Sequence, residues 1–187
     1  EQLKNIADLI VMNNRRIILP QDDSVVGFSP VYQQRIVFRR SRGYAPYGEG
    51  FHVPRDQRNI LCMGALLKST FVMQCRNNVF LSQYLGNTLY IDQQEAYQRV
   101  LDHLVGLLQF TPQQIVVDMH PEYYTSQLGK RLSETYDVPI KTVQHHKAHF
   151  AAVLAEHDWI NSDEPVLGVV WDGTGYGDDG QIWGGEF

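Results

Sequence analysis

Cysteine is scarce in this chain of 187 residues: Cys62 and Cys75 are the only two. Both sit in apolar, strand-like runs and no CxxC pair occurs. That excludes a disulfide scaffold and a cysteine-built zinc site, and it points to reduced thiols in a cytosolic protein. No apolar run approaches the ~20 residues that a membrane-spanning helix needs, and no signal-peptide pattern is visible. Positive charge is not in excess either. A formal net charge of -5 argues against a general nucleic-acid or membrane-surface binder and leaves only a local basic patch open. Short-period repeats and low-complexity tracts are also missing. What is present is the composition of a soluble globular protein, 43% hydrophobic and 20% charged, long enough for one large domain or one and a half ordinary ones. Glu1 opens in a helix-like segment without a methionine and Phe187 closes in a strand-like one, so the chain reads as an excerpt of a longer protein.

The first part is mixed: an apolar segment Ile6 to Met12, a turn at Asn13-Asn14, a polar stretch from Gln21, a strand-like Arg35 to Phe38, and a basic run from Arg39 to Arg42 ending at Pro46. Glycine, proline and charge without periodicity then read as a linker over residues 48–59. From Ile60 the pattern is regular. Strands are predicted at Ile60–Gly64, Thr70–Cys75 and Val79–Ser82, with an Arg76-Asn77-Asn78 turn between the last two. Ala96, Tyr97, Val100, Leu101, Leu104, Leu107 and Leu108 recur at helical spacing between Asp92 and Phe110, with Asp92 as N-cap and Glu95 completing a capping box. A strand at Gln114–Asp118, a helix at Glu122–Tyr136, a strand at Pro139–Val143 and a helix at His145–His157 follow. A sixth strand at Val166–Trp171 then turns back into Gln181–Trp183. The result is an α/β order, β-β-β-α-β-α-β-α, followed by a new hairpin.

The chemistry concentrates in Gln144-His145-His146-Lys147-Ala148-His149 and in Asp172-Gly173-Thr174-Gly175-Tyr176-Gly177. His145 and His149 are four apart, so both imidazoles project from one helix face. That spacing suits two nitrogens on one transition metal, with Asp172 as a third ligand, and zinc and iron fit equally. The glycines after Asp172 let backbone amides approach a phosphate. A histidine pair on a helix is otherwise polar surface; the glycine run beside it favours the metal reading. His146 points off the metal face, to a supporting or surface position. His120 is either catalytic or a structural loop histidine, and His157 falls at the C-terminal end of its helix.

The strand order resembles the actin-like ATPase (ribonuclease H-like) fold, in which two such units face each other across a nucleotide cleft. The motifs resemble more specifically the HypF family, the carbamoyltransferases of nickel-iron hydrogenase maturation. Asp22-Asp23-Ser24-Val25 with Arg39-Arg40-Ser41-Arg42-Gly43-Tyr44-Ala45-Pro46 is similar to the end of that family's YrdC-like domain. Gly64 to Thr70, with Lys68 and Thr70, resembles the first phosphate hairpin of its actin-like (Kae-type) domain. The histidine cluster, the Asp172–Gly177 run and Trp183-Gly184-Gly185-Glu186-Phe187 resemble its metal and second nucleotide segments, and Phe80 to Gln83 and Asp118 to Tyr123 add smaller matches. The resemblance implies residues 1–47 as the C-terminal part of the YrdC-like domain, 48–59 as linker, and 60–187 as the first part of the actin-like domain. The chain departs from the family at Leu66, in place of an acidic residue, at Leu19-Pro20, in place of Asn-Arg, and at Tyr84 and Asn87, in place of His and Asp.

A two-stage reaction is implied. Carbamoyl phosphate and ATP give carbamoyl adenylate in the YrdC-like domain. The actin-like domain then passes the carbamoyl group to the C-terminal cysteine of the protein HypE, a source of cyanide ligands. The resemblance assigns Lys68 and Asp172 to catalysis, and Thr70, Gly173, Thr174, Gly175 and Gly177, with Arg39, Arg40 and Arg42, to the nucleotide. It assigns His145, His149 and Asp172 to a divalent metal, with Mg accompanying the ATP, and implies a cytoplasmic enzyme with no nucleic-acid or membrane partner. For the arginines the alternative is a solvated basic edge. Rival functions are an antibiotic-type O-carbamoyltransferase, a tRNA threonylcarbamoyladenosine synthase and, outside enzymes, a nucleotide-dependent actin-like binding module without group transfer. The excerpt alone is expected to be inactive.

Overall fold

The computed structural model describes residues 2–46 and 58–187; the linker reading falls largely outside them. Apolar β-branched and aromatic runs form β3 (Ile60–Cys62), β4 (Val72–Cys75), β5 (Asn78–Leu81), β6 (Gln114–Asp118) and β7 (Ile140–Val143), in the sheet order β5-β4-β3-β6-β7. The first three strands pair antiparallel, while β3, β6 and β7 are parallel. The helices are α1 (Ile91–Leu107), α2 (Tyr124–Tyr136) and α3 (His145–Glu156), so the predicted β-β-β-α-β-α-β-α order is the observed one. The two parallel connections each run through a helix, as parallel strands require.

Strand alternation decides which residues meet which helix. Leu61, Met63, Phe71, Met73, Ile115 and Val117 form one buried core with Tyr97, Val100, Leu101 and Leu104 of α1 and Leu128 of α2. Tyr97 is wholly buried, and its hydroxyl donates to the Met63 carbonyl at 2.7 Å, satisfying a backbone oxygen at the end of the central strand. Gly129 brings α2 close to the sheet, where an added Cβ would collide with Val117. The other face, carrying Cys62, Val116 and Asp118, turns toward α3.

Several boundaries differ from expectation. The α1 N-cap is Tyr90 rather than Asp92, with no side-chain cap bond; Asp92 lies in the first turn, where its charge favours the positive helix end. Helix α1 stops at Leu107 because Gln109 turns left-handed (φ 48°), which lets Phe110 fold into the core. Val166–Trp171 is not a strand. Its single ladder contact is an antiparallel bridge from Val170 to Glu186, and Leu167 and Trp171 are 78% and 91% exposed. A strand needs a neighbour, and among the described residues this run has only that one. The helix-like start of the chain is a 3-10 turn, Gln2–Asn5, and in the apolar segment that follows Ile6, Val11 and Met12 are exposed.

The N-terminal part contains an antiparallel hairpin of β1 (Val25–Ser29) and β2 (Gln34–Arg39). It docks on the outer edge of β5 and the loop beyond. The amides of Leu81 and Tyr84 donate to the Pro46 and Arg40 carbonyls at 2.7 and 2.8 Å, and Gln83 Nε2 donates to the Pro20 carbonyl. Leu19 packs on the core.

Candidate metal centre

Strand β7 runs straight into α3, whose first turn is closed by Gln144: its side-chain oxygen accepts the Lys147 amide at 2.8 Å. That cap sets the rotation of the helix. His145 and His149 sit one turn apart, their rings edge to face, with their Nε2 atoms 3.2 Å from each other. The turn after the Val166–Trp171 run delivers Asp172, whose Oδ2 lies 3.1 Å from His145 Nε2 and 3.5 Å from His149 Nε2. The three ligand atoms lie within 4.8 Å of one another. Donors about 2.0–2.1 Å from a tetrahedral divalent ion sit roughly 3.3 Å apart, so this set fits such an ion.

At the C-terminal end of β6, Asp118 Oδ2 meets His145 Nδ1 at 2.6 Å, and its Oδ1 accepts the His120 amide at 2.8 Å. A carboxylate on Nδ1 keeps the proton there and leaves the Nε2 lone pair free for a metal. The hydrogen bond to Asp118 raises the His145 pKa above its ordinary value against the effect of burial, and the charges of Asp118 and Asp172 add to the rise. Burial pushes Asp172 up, but the Gly173 amide, the His145 charge, the Thr174 amide and the His149 charge outweigh it and hold the carboxyl below its usual value. Asp172 is therefore ionised at neutral pH, and its Oδ2 is buried with no hydrogen-bond donor among the described residues. An anionic oxygen in that position fits a cation.

A cavity of about 520 Å³ extends from His145 and His149 along α3 to Gly64, Ala65 and Thr70 of the first hairpin. The predicted Thr70 thus shares a cavity with the histidines. Lys68 does not line it: it is exposed, in a left-handed turn with φ 49°. Gly173 is open, but its amide donates to Asp172 Oδ1 at 2.7 Å. At the predicted Gly175 and Gly177 the backbone comes close to neighbouring rings. Gly175 lies under the His146 ring and Gly177 under Trp183, in a small hairpin of β8 (Gly175–Tyr176) and β9 (Ile182–Trp183), and the Gly177 amide is used by the Gln181 carbonyl. These two glycines allow close packing.

None of the three arginines lines that cavity. Arg39 pairs with Asp22 and with the Asp23 carbonyl, Arg42 with Asp23 and the Gln21 carbonyl, and Arg40 with the Tyr44 carbonyl. Arg39 also faces a pocket of about 180 Å³ shared with Asp22, Gln83 and Tyr84. His146 is not at the surface: it is 2% exposed, with Nδ1 2.7 Å from Glu186 Oε2. The His120 ring stacks on Tyr123 at 4.1 Å, and its Nδ1 accepts the Glu122 amide. Sequence reasoning gave Asp118 no role. Its signal was an acid at the C-terminal end of a parallel strand, where open α/β sheets place their ligand groups.

Comparison with known proteins locates this arrangement. Residues 55–156 match the family model described as the HypF Kae1-like domain. The chain is similar to carbamoyltransferase HypF of Synechocystis sp., 42% identical over 187 residues, covering 100% of this chain and 23% of that protein. It is also similar to the probable carbamoyltransferase HypF of Methanocaldococcus jannaschii, 38% identical over 190 residues, covering 100% of this chain and 24% of that one. A crystal structure of full-length HypF in a phosphate- and nucleotide-bound form superposes with a TM-score of 0.83 at 37% identity, over 97% of this chain and 27% of that one. The chain thus spans about a quarter of the length of the curated relatives it matches.

Proposed function

From the premise that this chain belongs to the HypF family, we propose that it is part of a cytoplasmic ATP-dependent carbamoyltransferase of [NiFe]-hydrogenase maturation. Residues 1–47 are the end of its YrdC-like domain, 48–59 a linker, and 60–187 the first part of its actin-like domain. The whole enzyme releases carbamate and phosphate from carbamoyl phosphate and joins the carbamate to ATP as carbamoyl adenylate, with loss of pyrophosphate. It then transfers the carbamoyl group to the C-terminal cysteine of HypE with release of AMP. The observation that carries this reading is the His145/His149/Asp172 cluster, braced by Asp118 and opening into the cavity that Thr70 also lines. An actin-like module that only clamps nucleotide has no need of such a donor set.

His145, His149 and Asp172 hold the divalent ion, zinc or iron, and that ion supplies Lewis-acid stabilisation of negative charge on oxygen. Asp118 keeps the His145 proton on Nδ1. The Thr70 hydroxyl and the open Gly173–Thr174 turn present polar groups to the nucleotide and its Mg. Gly175 contributes by letting the turn pack against His146 of α3, and Gly177 by letting it pack against Trp183. Lys68, exposed on the first hairpin, neutralises phosphate charge as the cleft fills. Arg39, Arg40 and Arg42 serve the adenylating site, where binding a triphosphate requires Arg39 and Arg42 to exchange their pairing with Asp22 and Asp23.

The test uses the intact protein. His145→Ala and His149→Ala should each lose the metal and stop carbamoylation of HypE, read by mass spectrometry, while carbamoyl adenylate still forms. Arg42→Ala should weaken adenylate formation. Unchanged metal content and transfer in both histidine variants would remove the basis of this function.

A further inference from the structure

Of all the residues of α3, only His146 is buried. A core position on a three-turn helix ordinarily takes an apolar residue, so an imidazole there calls for a polar reason. Its surroundings supply one. Nδ1 lies 2.7 Å from Glu186 Oε2, and the Glu186 backbone is fixed by two hydrogen bonds to Val170, at 2.8 and 2.9 Å, two residues before Asp172. The ring covers Gly175, where an added Cβ would run into it. On its far side Nε2 is buried 3.9 Å from Asp172 Oδ2, which is buried too, and neither atom has a hydrogen-bond partner among the described residues.

We propose that His146, oriented by Glu186, is a positioning residue that holds Asp172 in place for metal binding. Ionised Glu186 can only accept, so the Nδ1 proton points to it and Nε2 faces Asp172. At 3.9 Å the two atoms are too far apart for a hydrogen bond. The ring therefore acts as a polar wall that keeps Oδ2 turned toward His145 and His149. Asp118 and Glu186, from different segments, thus brace adjacent residues of the first α3 turn. One brace aims a nitrogen and the other an oxygen at the same point.

This inference rests on the metal-centre reading, and its test separates the two. The intact protein is stripped of metal and titrated with Co²⁺, whose visible absorption reports the geometry of its donors. Thermal melts of the metal-free form are recorded alongside. Glu186→Gln keeps the shape of the side chain and removes the anionic acceptor; His146→Asn removes the ring. Both are expected to bind Co²⁺ about 10–100-fold more weakly and with an altered spectrum, and Glu186→Gln to do so with an unchanged metal-free melt. Glu186→Asp should recover part of the affinity. If His149→Ala abolishes binding while Glu186→Gln and His146→Asn keep the wild-type affinity and spectrum, the positioning role is wrong and the metal centre stands. If His149→Ala binds Co²⁺ as wild type does, the metal centre itself is wrong. Should His146→Asn fail to fold, Glu186→Gln decides alone.

Discussion

Replacing Asp118 by Asn tests the logic of the centre most directly, because the change is nearly isosteric and its consequences are opposite at the two oxygens. The carboxylate accepts twice, from His145 Nδ1 at 2.6 Å and from the His120 amide at 2.8 Å. An amide has one acceptor oxygen. If that oxygen stays on the His120 amide, the new NH₂ faces His145 Nδ1 and drives the imidazole to the tautomer with its proton on Nε2, which blocks the metal-facing lone pair. If the amide flips, the partly buried His120 N–H is left opposite a donor, at a cost of about 1–3 kcal/mol. Either outcome should weaken Zn²⁺ binding by about 10–100-fold, or about 1.4–2.7 kcal/mol. The deficit should also depend on pH. Asp118 raises the His145 pKa, so in the wild type a proton competes with metal under mildly acidic conditions. The variant is relieved of that competition. Zn²⁺ titrations against a chelating indicator should therefore show a small deficit near about pH 6 that grows toward about pH 8. A variant that binds as tightly as wild type at the higher pH, or whose deficit does not change with pH, would refute this account of the Asp118 contact.

Three other outcomes follow from the same geometry. Tyr97→Phe leaves the Met63 carbonyl without its buried donor and should cost about 1–3 kcal/mol in urea denaturation, with an unchanged m-value. Gly129→Ala gains about 1 kcal/mol of helix propensity but overpacks the α2–sheet contact at Val117 and Met63; with overpacking worth about 1–3 kcal/mol, chemical denaturation should show a net loss. In metal-free protein the raised His145 pKa contributes stability that is full below about pH 6.5 and is lost as pH rises through the folded value. The lowered Asp172 pKa contributes stability present above about pH 3.9 and lost as pH falls. Thermal melts of the metal-free His145→Ala and Asp172→Ala variants across pH should lose the corresponding limb.

Sequence periodicity carried α1 well because its buried face is long: Tyr97, Val100, Leu101 and Leu104 recur over successive turns. It misjudged Val166–Trp171, where apolar content signals a strand but, among the described residues, only Glu186 supplies a ladder partner. The i, i+4 histidines and Asp172 were legible from spacing and neighbouring glycines. Asp118 was not, because a lone acid at a strand end looks like any other until the parallel pairing of β6 and β7 sets it beside His145. His146 failed for a related reason. A rotation of roughly 100° from His145 turns it off the His145–His149 face, but helix geometry alone does not reveal that Glu186 waits on the other side. The glycine run showed that backbone comes close to something. That the something is an imidazole and an indole at Gly175 and Gly177 is a tertiary fact.

The paired braces on the first turn of α3 also impose an order of assembly. Asp118 reaches His145 across 27 residues, all within the β6-α2-β7-α3 unit, whereas Glu186 reaches His146 across 40 residues. Loop-closure entropy separates the two closures by only about 0.3 kcal/mol, so chain entropy hardly distinguishes them. Availability does. During synthesis the Asp118 contact can close once α3 has emerged, while Asp172 and Glu186 are still to come. A nascent chain at that stage can hold an oriented His145 nitrogen before its partner carboxylate, Asp172, exists. The centre is thus built in two instalments, nitrogen first and oxygen second, and the second is secured only when the Glu186 backbone closes on Val170.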